Sequence, residues 1–380
     1  MTRKLKLGMV GGGQGAFIGA VHRIAARLDD CFDLVAGVLS SDAARGQASA
    51  EAIGLARSYA DWREMARVEG SRDDGIDAVA IVTPNHLHAP VAHAFLDAGI
   101  HVICDKPLAV SLEEGEALAK HAREAGRLFA LTHTYSGYPL VRHARQMIET
   151  GAIGDVRIVQ VEYAQDWLGR PIEQEGANRQ AAWRTDPALA GPAGCLGDIG
   201  THAYQLAAFV SGLVPAAVSA DVHTFVAGRR LDDHVQAMLR YEDGARGMLW
   251  ASQVASGAEN ALRLRVFGTK ASLAFDQEDP NELWFTPQGG ASVRLTRARV
   301  AGAAAQHATR VPAGHPEGYL EAFAQLYRDA ALQICAIEAG EPPPPESRLL
   351  TTVDDGVDGL RFISAVLASS AADGAWQPLR

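Results

Sequence analysis

Cysteine is scarce in this chain: four in 380 residues, Cys31, Cys104, Cys195 and Cys335, with no CxxC pair. That spacing argues against a zinc or disulfide framework and reads as buried, reduced thiols in a cytosolic protein. Long apolar runs are also lacking. No stretch approaches the roughly 18 residues of a membrane span. The opening MTRKLKLGMVGGG has neither the ~7–15 residue apolar core nor the small-residue cleavage site of a signal peptide, so the expected location is the cytoplasm. Basic excess is missing as well. With 35 Lys and Arg against 45 Asp and Glu, the net charge is −10. This argues against a nucleic-acid partner, because phosphate binding needs a positive surface. An anionic small molecule is not excluded, since a local arginine pocket can oppose the global sign. No repeat is present, and the only biased segments are Pro342–Pro345 and Ala303–Ala305.

What is present is an ordinary globular composition, 48% hydrophobic and 21% charged, in a chain long enough for two domains. Over residues 1–134, short apolar runs alternate with helical patterns. Leu5–Val10, Phe32–Leu39, Ile76–Thr83, His101–Cys104 and Leu128–Thr132 read as five strands. The intervening segments Ala16–Leu28, Ala43–Ile53, Trp62–Val68, Pro90–Ala98 and Leu112–Ala125 have helical spacing. Strands that are apolar throughout and separated by helices imply a parallel sheet covered on both faces, a doubly wound α/β (Rossmann) domain. Residues 135–380 read as a second, α+β domain. A helix at Pro139–Glu149 is followed by strands at Val156–Tyr163, Val218–Phe225, His234–Tyr241, Ala245–Gln253, Arg263–Phe267 and Ser272–Phe275. Few helices separate them, so the sheet is expected to be large, open and mostly antiparallel. One face would need a cover, for which a homodimer or homotetramer is the natural source. Helices are expected at Ile199–Val210, Glu317–Glu338 and Asp354–Ser370, with a polyproline II spacer at Pro342–Pro345.

The first strand runs into Gly11-Gly12-Gly13-Gln14-Gly15, and a helix opens with Ala16, Phe17 and Ile18. Glycines allow positive φ and a close approach of backbone to a pyrophosphate, which the helix N-terminus attracts. In this strand–turn–helix context the motif predicts dinucleotide binding, with Ala16 at the third glycine position. The second strand ends Leu39-Ser40-Ser41-Asp42, with Arg45 a turn later. Ser40 and Ser41 stand where a ribose-binding carboxylate is expected, which leaves NAD favoured and NADP open. Thr83, Pro84 and Asn85, after the third strand, are expected to line the dinucleotide, and His88 to touch its ribose or nicotinamide end. His86, His88 and His93 are poorly spaced for zinc, and no metal is expected.

Asp198 and His202 lie four residues apart, on one helix face if the helix has begun by Asp198. Histidine titrates nearest neutrality and suits proton transfer. Before them runs a loop-rich stretch with Gln165, Asp166, Trp167, Arg179, Gln180, Trp183 and Arg184. Indole faces suit sugar rings, and Arg and Asp suit hydroxyls or an anionic substituent. His133 and Tyr135, past the fifth strand, are further substrate candidates.

Four segments together, VGGGQGAFIG (10–19), VTPNHLHAPVAHAFLDAGIHVICDKP (82–107), GDIGTHAYQL (197–206) and VFGTKASLAF (266–275), resemble the Gfo/Idh/MocA oxidoreductase family. The resemblance implies a Rossmann domain, a C-terminal sheet used for oligomerisation, and alcohol oxidation on sugars or cyclitols. The family's Glu-Lys-Pro signature stands here as Asp105-Lys106-Pro107, with a cis peptide expected before Pro107. The D-x-G-x-H-x-x-D pattern stands as Asp198, Gly200, His202 and Gln205, without its last acid. By resemblance Lys106 donates to the reacting oxygen, His202 is the general base and Asp198 orients substrate. Asp105 and Lys106 also reach the cofactor. Two other functions fit the same residues: an NAD-dependent glycosidase that oxidises a ring hydroxyl transiently, including on an anionic sugar glycoside, and a non-catalytic sugar- or nucleotide-binding protein.

Overall fold

A computed structural model describes residues 3–174 and 178–379. The chain forms two compact units, Met1–Gly137 with Tyr319–Val357, and Tyr138–Gly318 with Asp358–Arg380.

The first unit is built on a parallel sheet of six strands: β1 (Leu5–Gly11), β2 (Phe32–Val38), β3 (Arg57–Ser58), β4 (Ala78–Val82), β5 (His101–Cys104) and β6 (Phe129–Leu131). Their order is β3-β2-β1-β4-β5-β6, with every pair parallel. The strand order reverses between β1 and β4, the switch point outside which doubly wound sheets bind ligands. β4, β5 and β6 are buried at every residue, as their uninterrupted apolar sequences require. The expected five strands are all present. The sixth, β3, is a two-residue strand too short to leave a periodic signal.

A cut at 134/135 assigned everything after it to the second domain. The structure instead returns Tyr319–Val357 to the first unit. The helix Tyr319–Ala339 packs Phe323, Tyr327 and Ile334 into one core with Leu5, Leu7, Met9 and Phe32. Thr351 also binds β6, its amide carbonyl accepting from Leu131 N–H at 3.0 Å.

The second unit carries a nine-stranded sheet: β7 (Val156–Ala164), β8 (Ala217–His223), β9 (His234–Arg240), β10 (Arg246–Ser252), β11 (Ala261–Gly268), β12 (Ala271–Asp276), β13 (Glu282–Pro287), β14 (Val293–Thr296) and β15 (Gln377–Pro378). The order is β14-β13-β12-β11-β7-β10-β9-β8-β15. Only β7 and β10 pair in parallel. β9 alternates buried and exposed residues, the signature of a sheet with one buried face. The helix Thr201–Ser211 packs on β7, β10 and β11. On the opposite face Met238, Met248, Gln160, Arg265, Ala274 and Trp284 form one row across six strands. Met238, Met248 and Trp284 are each about half exposed, and so is Ile158 on the same face. The sequence reading stopped at Phe275. β13 and β14 escaped it because ELWFTP has three apolar residues in succession and VRLT is too short for a period. At the proline run, Pro344 has polyproline II dihedrals (φ −52°, ψ 138°), and a 3₁₀ turn, Pro345–Leu349, follows. Among the described residues no helix is long and apolar enough to cross a membrane.

Candidate active site

In the first unit the glycine turn leads into the helix Phe17–Leu28, whose N-cap residue, Ala16, offers no side-chain hydrogen bond. The first-turn amides therefore have no internal cap and are available to an anion. Gly13 donates to the Leu39 carbonyl at 3.1 Å, and a Cβ there would lie 2.3 Å from that oxygen. Gly19 packs on Gly12, and a Cβ there would lie 2.2 Å from the Gly12 carbonyl oxygen. Gly19 is thus the close-packing glycine that the sequence reading placed at Ala16. Gln14, Gly15 and Phe17 are exposed, and nothing lies within 4 Å of a Cβ built on Gly15. Ile18 is partly buried against the core. Gln14 N–H is held by Ser49 Oγ at 3.1 Å, and Thr83 Oγ1 is buried without a hydrogen-bond partner among the described residues. An open turn, uncapped amides and an orphaned hydroxyl at the same sheet edge fit a bound dinucleotide.

At the end of β2 the Asp42 carboxylate caps the helix Ala43–Ala52, accepting from Arg45 N–H at 2.8 Å. Ser40 Oγ accepts from Asp42 N–H at 3.1 Å. Ser41 and Arg45 are exposed. No carboxylate other than the helix cap stands at this position.

Lys106 follows β5, and the Lys106–Pro107 peptide is cis. Both neighbours of Lys106 are pinned. Asp105 N–H donates to the Ile81 carbonyl at 3.0 Å. Asp105 Oδ1 lies 3.1 Å from His22 Nε2 and accepts from Thr132 Oγ1 at 2.6 Å. Burial pushes this carboxyl up, but the His22 and Thr132 contacts outweigh it and hold it below its ordinary value. His88 is fully buried, with Nδ1 2.7 Å from the Pro107 carbonyl and Nε2 3.0 Å from the Thr83 carbonyl. Both ring nitrogens serve the protein backbone, so His88 braces the loops after β4 and β5 rather than presenting a nitrogen to a ligand. Asn85 is buried in the 3₁₀ turn Asn85–Leu87, and Pro84 is partly exposed before it. His133 is buried, and burial together with the Lys106 ammonium pushes its imidazole down to about 3, so it is neutral. Tyr135 is buried in the 3₁₀ turn Thr134–Gly137. His93 is taken up by His121 on the next helix (Nδ1 to Nδ1 2.6 Å), and no metal-binding group of His, Cys, Asp or Glu occurs among the described residues.

In the second unit Asp198 lies in a π-turn, Leu196–Gly200, that runs directly into the helix Thr201–Ser211 carrying His202. The sequence reading assumed an α-turn. The wider turn is a common local irregularity at functional sites. Asp232 holds its entry, accepting from Gly194 N–H at 2.6 Å and Leu196 N–H at 2.7 Å. Burial pushes the Asp232 carboxyl up to about 6. Asp198 Oδ2 accepts from Gln253 Nε2 at 2.9 Å and pairs with Arg184 Nε at 3.3 Å. The Arg184 guanidinium lies 4.2 Å over the Trp183 ring and 6.0 Å from Trp167. Trp167 Nε1 donates to Gln165 Oε1 at 3.1 Å, and Gln165 Nε2 donates to Asn260 Oδ1 at 2.7 Å. His202 is nearly buried beside Tyr163, ring centroids 6.3 Å apart. The structure thus gathers Gln165, Trp167, Trp183, Arg184 and Asp198 into one network. Asp166 instead ties a loop, accepting from Gly257 N–H at 3.0 Å. Arg179 is exposed on the short helix Arg179–Arg184. Gln253, Asn260 and Asp232 were missed by the sequence reading, since a polar residue at a strand end carries no periodic mark.

This fold, with an open glycine turn at its switch point and a side-chain network in its second unit, is that of an NAD-binding oxidoreductase. Residues 5–133 match the family model described as "Oxidoreductase family, NAD-binding Rossmann fold", and residues 141–274 match the GFO/IDH/MocA C-terminal domain. The chain is 33% identical to YfiI, an uncharacterized oxidoreductase of Bacillus subtilis, over 99% of this chain and 97% of that one. It is 32% identical to the levoglucosan dehydrogenase of Pseudarthrobacter phenanthrenivorans over 74% of this chain and 76% of that one. Among solved structures, an inositol dehydrogenase homolog from Azotobacter vinelandii in complex with NAD+ is 36% identical, covers 100% of this chain and 98% of its own, and has a TM-score of 0.94. The chain belongs to the Gfo/Idh/MocA oxidoreductase family.

Proposed function

We propose that this protein oxidises a secondary hydroxyl of a neutral cyclitol or sugar with free turnover of NAD. The observation that carries the reading is the position of Lys106 at the carboxyl end of β5, on the same sheet edge as the open turn after β1. When bound, NAD supplies the two-electron acceptor, taking a hydride from the carbinol carbon. Gly11, Gly13, Gln14, Gly15 and Ala16 would line its pyrophosphate, and the amides of Phe17 and Ile18 would hold it, the Ala16 N–H being taken by the Gly13 carbonyl at 3.1 Å. Ser40, Ser41 and Arg45 would meet the adenosine ribose, and Thr83, Pro84 and Asn85 the remainder.

The proton chemistry falls to the chain. Lys106 donates a hydrogen bond to the reacting oxygen and stabilises its developing negative charge. His202 takes the hydroxyl proton as general base. Asp198, fixed by Gln253 and Arg184, accepts from a neighbouring substrate hydroxyl. Trp167, Trp183, Gln165, His133 and Tyr135 supply stacking faces and further polar contacts. The Arg184 charge is answered by Asp198, which favours a neutral polyol over an anionic sugar. The inositol dehydrogenase homolog solved with NADH and myo-inositol, 34% identical, and the levoglucosan dehydrogenase solved with NADH and levoglucosan, 28% identical, support that choice of substrate class.

The test is absorbance at the NADH band with a panel of cyclitols, aldoses and glycosides, using NAD and NADP in parallel. Steady NADH growth with a cyclitol or aldose is expected, with NAD preferred. Aglycone release without net NADH would replace this reading with the redox-neutral glycosidase. The same reading assigns the open sheet face, with its half-exposed Met238, Met248, Trp284 and Ile158, to a homodimer or homotetramer contact. Met248→Glu with Trp284→Glu should then lower the oligomeric state measured by light scattering.

A further inference from the structure

His22 is a titratable group that the proposed chemistry leaves unused. It is fully buried on the helix Phe17–Leu28, one turn after Gly19, whose missing side chain lets that helix touch Gly12. Its Nδ1 lies 2.7 Å from the Tyr327 hydroxyl and its Nε2 3.1 Å from Asp105 Oδ1. One tautomer satisfies the whole chain: Tyr327 O–H donates to Nδ1, and Nε2–H donates to Asp105. Thr132 Oγ1 donates to the same carboxylate oxygen at 2.6 Å. Phe323 packs edge-on against the imidazole, ring centroids 4.6 Å apart.

We propose that His22 is a positioning residue: acting through Asp105, it fixes the segment that carries Lys106 and ties that segment to the helix that opens the dinucleotide turn. The proposal rests on the role given to Lys106 above. Residue 105 is held by its own N–H, by His22 and by Thr132, and residue 107 by His88, so the backbone of Lys106 is set from both sides. Packing alone gives no reason for such a site. Aliphatic residues at 22 and 105 would fill the space without a polar cost, whereas a buried imidazole against a partly buried carboxylate is costly unless its donors are matched. The match also depends on side-chain length. A glutamate at 105 would carry its carboxylate one methylene further and could not keep the same contacts with His22 and Thr132. Asp105 therefore works in this chain together with His22.

Two readouts test this in the intact protein. The first needs neither NAD nor substrate. In protein labelled with ¹⁵N-histidine, His22 should carry a proton on Nε2, shifted downfield, and Asp105→Asn should move that proton upfield. An Nδ1–H tautomer, or a resonance unchanged by Asp105→Asn, overturns the proposal. The second readout is kinetic and compares two amides. Glutamine at 22 can place an N–H near the Nε2 position, whereas asparagine reaches only the Nδ1 position. His22→Gln should keep most of the activity. His22→Asn should lower kcat about tenfold or more, with KM and NAD affinity unchanged. His22→Asn combined with Asp105→Asn should be no slower than the slower single variant. Equal kcat for the Gln and Asn variants, or losses that multiply in the double variant, overturn the proposal. Wild-type activity in Lys106→Met would instead remove the role of Lys106 while leaving the resonance result standing, so the two failures are distinguishable.

Discussion

On the proposed function the two units meet different binding problems with different materials. The first presents backbone: an uncapped helix end, glycines where a Cβ would strike a carbonyl, and a lysine set by pinned neighbours, all at the carboxyl edge of a buried parallel sheet. The second presents side chains: Asp198, Arg184, Gln253, Trp167 and Gln165 joined in a network on loops, a π-turn and strand ends. A dinucleotide offers the same pyrophosphate to every enzyme, and main-chain amides suffice for it. A polyol is defined by the placement of its hydroxyls, which only a fixed set of polar side chains can read. NAD affinity should therefore answer to the turn of the first unit and not to the side chains of the second.

The largest expected effects sharpen that division. Lys106→Met in the first unit and His202→Ala in the second should each lower kcat by about 10²–10⁴-fold, the usual worth of a positioned proton-transfer or charge-stabilising group. NAD affinity, measured by fluorescence titration, should be unchanged in His202→Ala. Next, Gly13→Ala should weaken NAD binding about 10–100-fold, the equivalent of 1–3 kcal/mol of overpacking against the Leu39 carbonyl. KM for the polyol should stay the same, and a change confined to KM would break the division.

Acid should act on the two units with opposite sign. Burial and the Arg127 charge push His101 down to about 4. Its folded value is below its ordinary one, so its contribution is complete above about 6.5 and is lost as pH falls toward 4. Over that window the unfolded chain takes up a proton that the folded chain refuses. His101→Asn should flatten this acid limb, by about 2 kcal/mol at about pH 5, in denaturant unfolding. Asp232 in the second unit has the opposite sign. Its folded value of about 6 lies above the ordinary carboxylate value, so its contribution is present below about 3.8 and is lost as pH rises through 6. The smallest effect is expected for Arg184→Met. It should raise KM for the polyol about tenfold, ~1.4 kcal/mol, with NAD affinity untouched.

Much of this was legible in the residues. The glycine turn and five of the six parallel strands carry local marks, either a period or a residue type that a conformation demands, whereas the Asp-Lys-Pro segment and the Asp198–His202 pair stood out only by resemblance to the family. What escaped was set by tertiary placement. Nothing local says that Tyr319–Val357 returns to the first unit, because its apolar face would suit either core. Gly19 and His22 sit inside an ordinary helical pattern, and only their neighbours Gly12 and Asp105 give them meaning. His88 was read as a cofactor contact from its position after the third predicted strand, yet both of its nitrogens are taken up by carbonyls of the protein. Arg184 and Arg179 looked like an anion pocket until Asp198 was found against one of them.

On the proposed function Lys106 and His202 serve one hydroxyl of one bound polyol. The most direct measurement is a single turnover with NAD-saturated enzyme, followed at the NADH band, for Lys106→Met, His202→Ala and the double variant. Slow NADH formation in each single variant, with a double variant no slower than the slower single one, is the predicted result. Wild-type NADH formation in either single variant would contradict it.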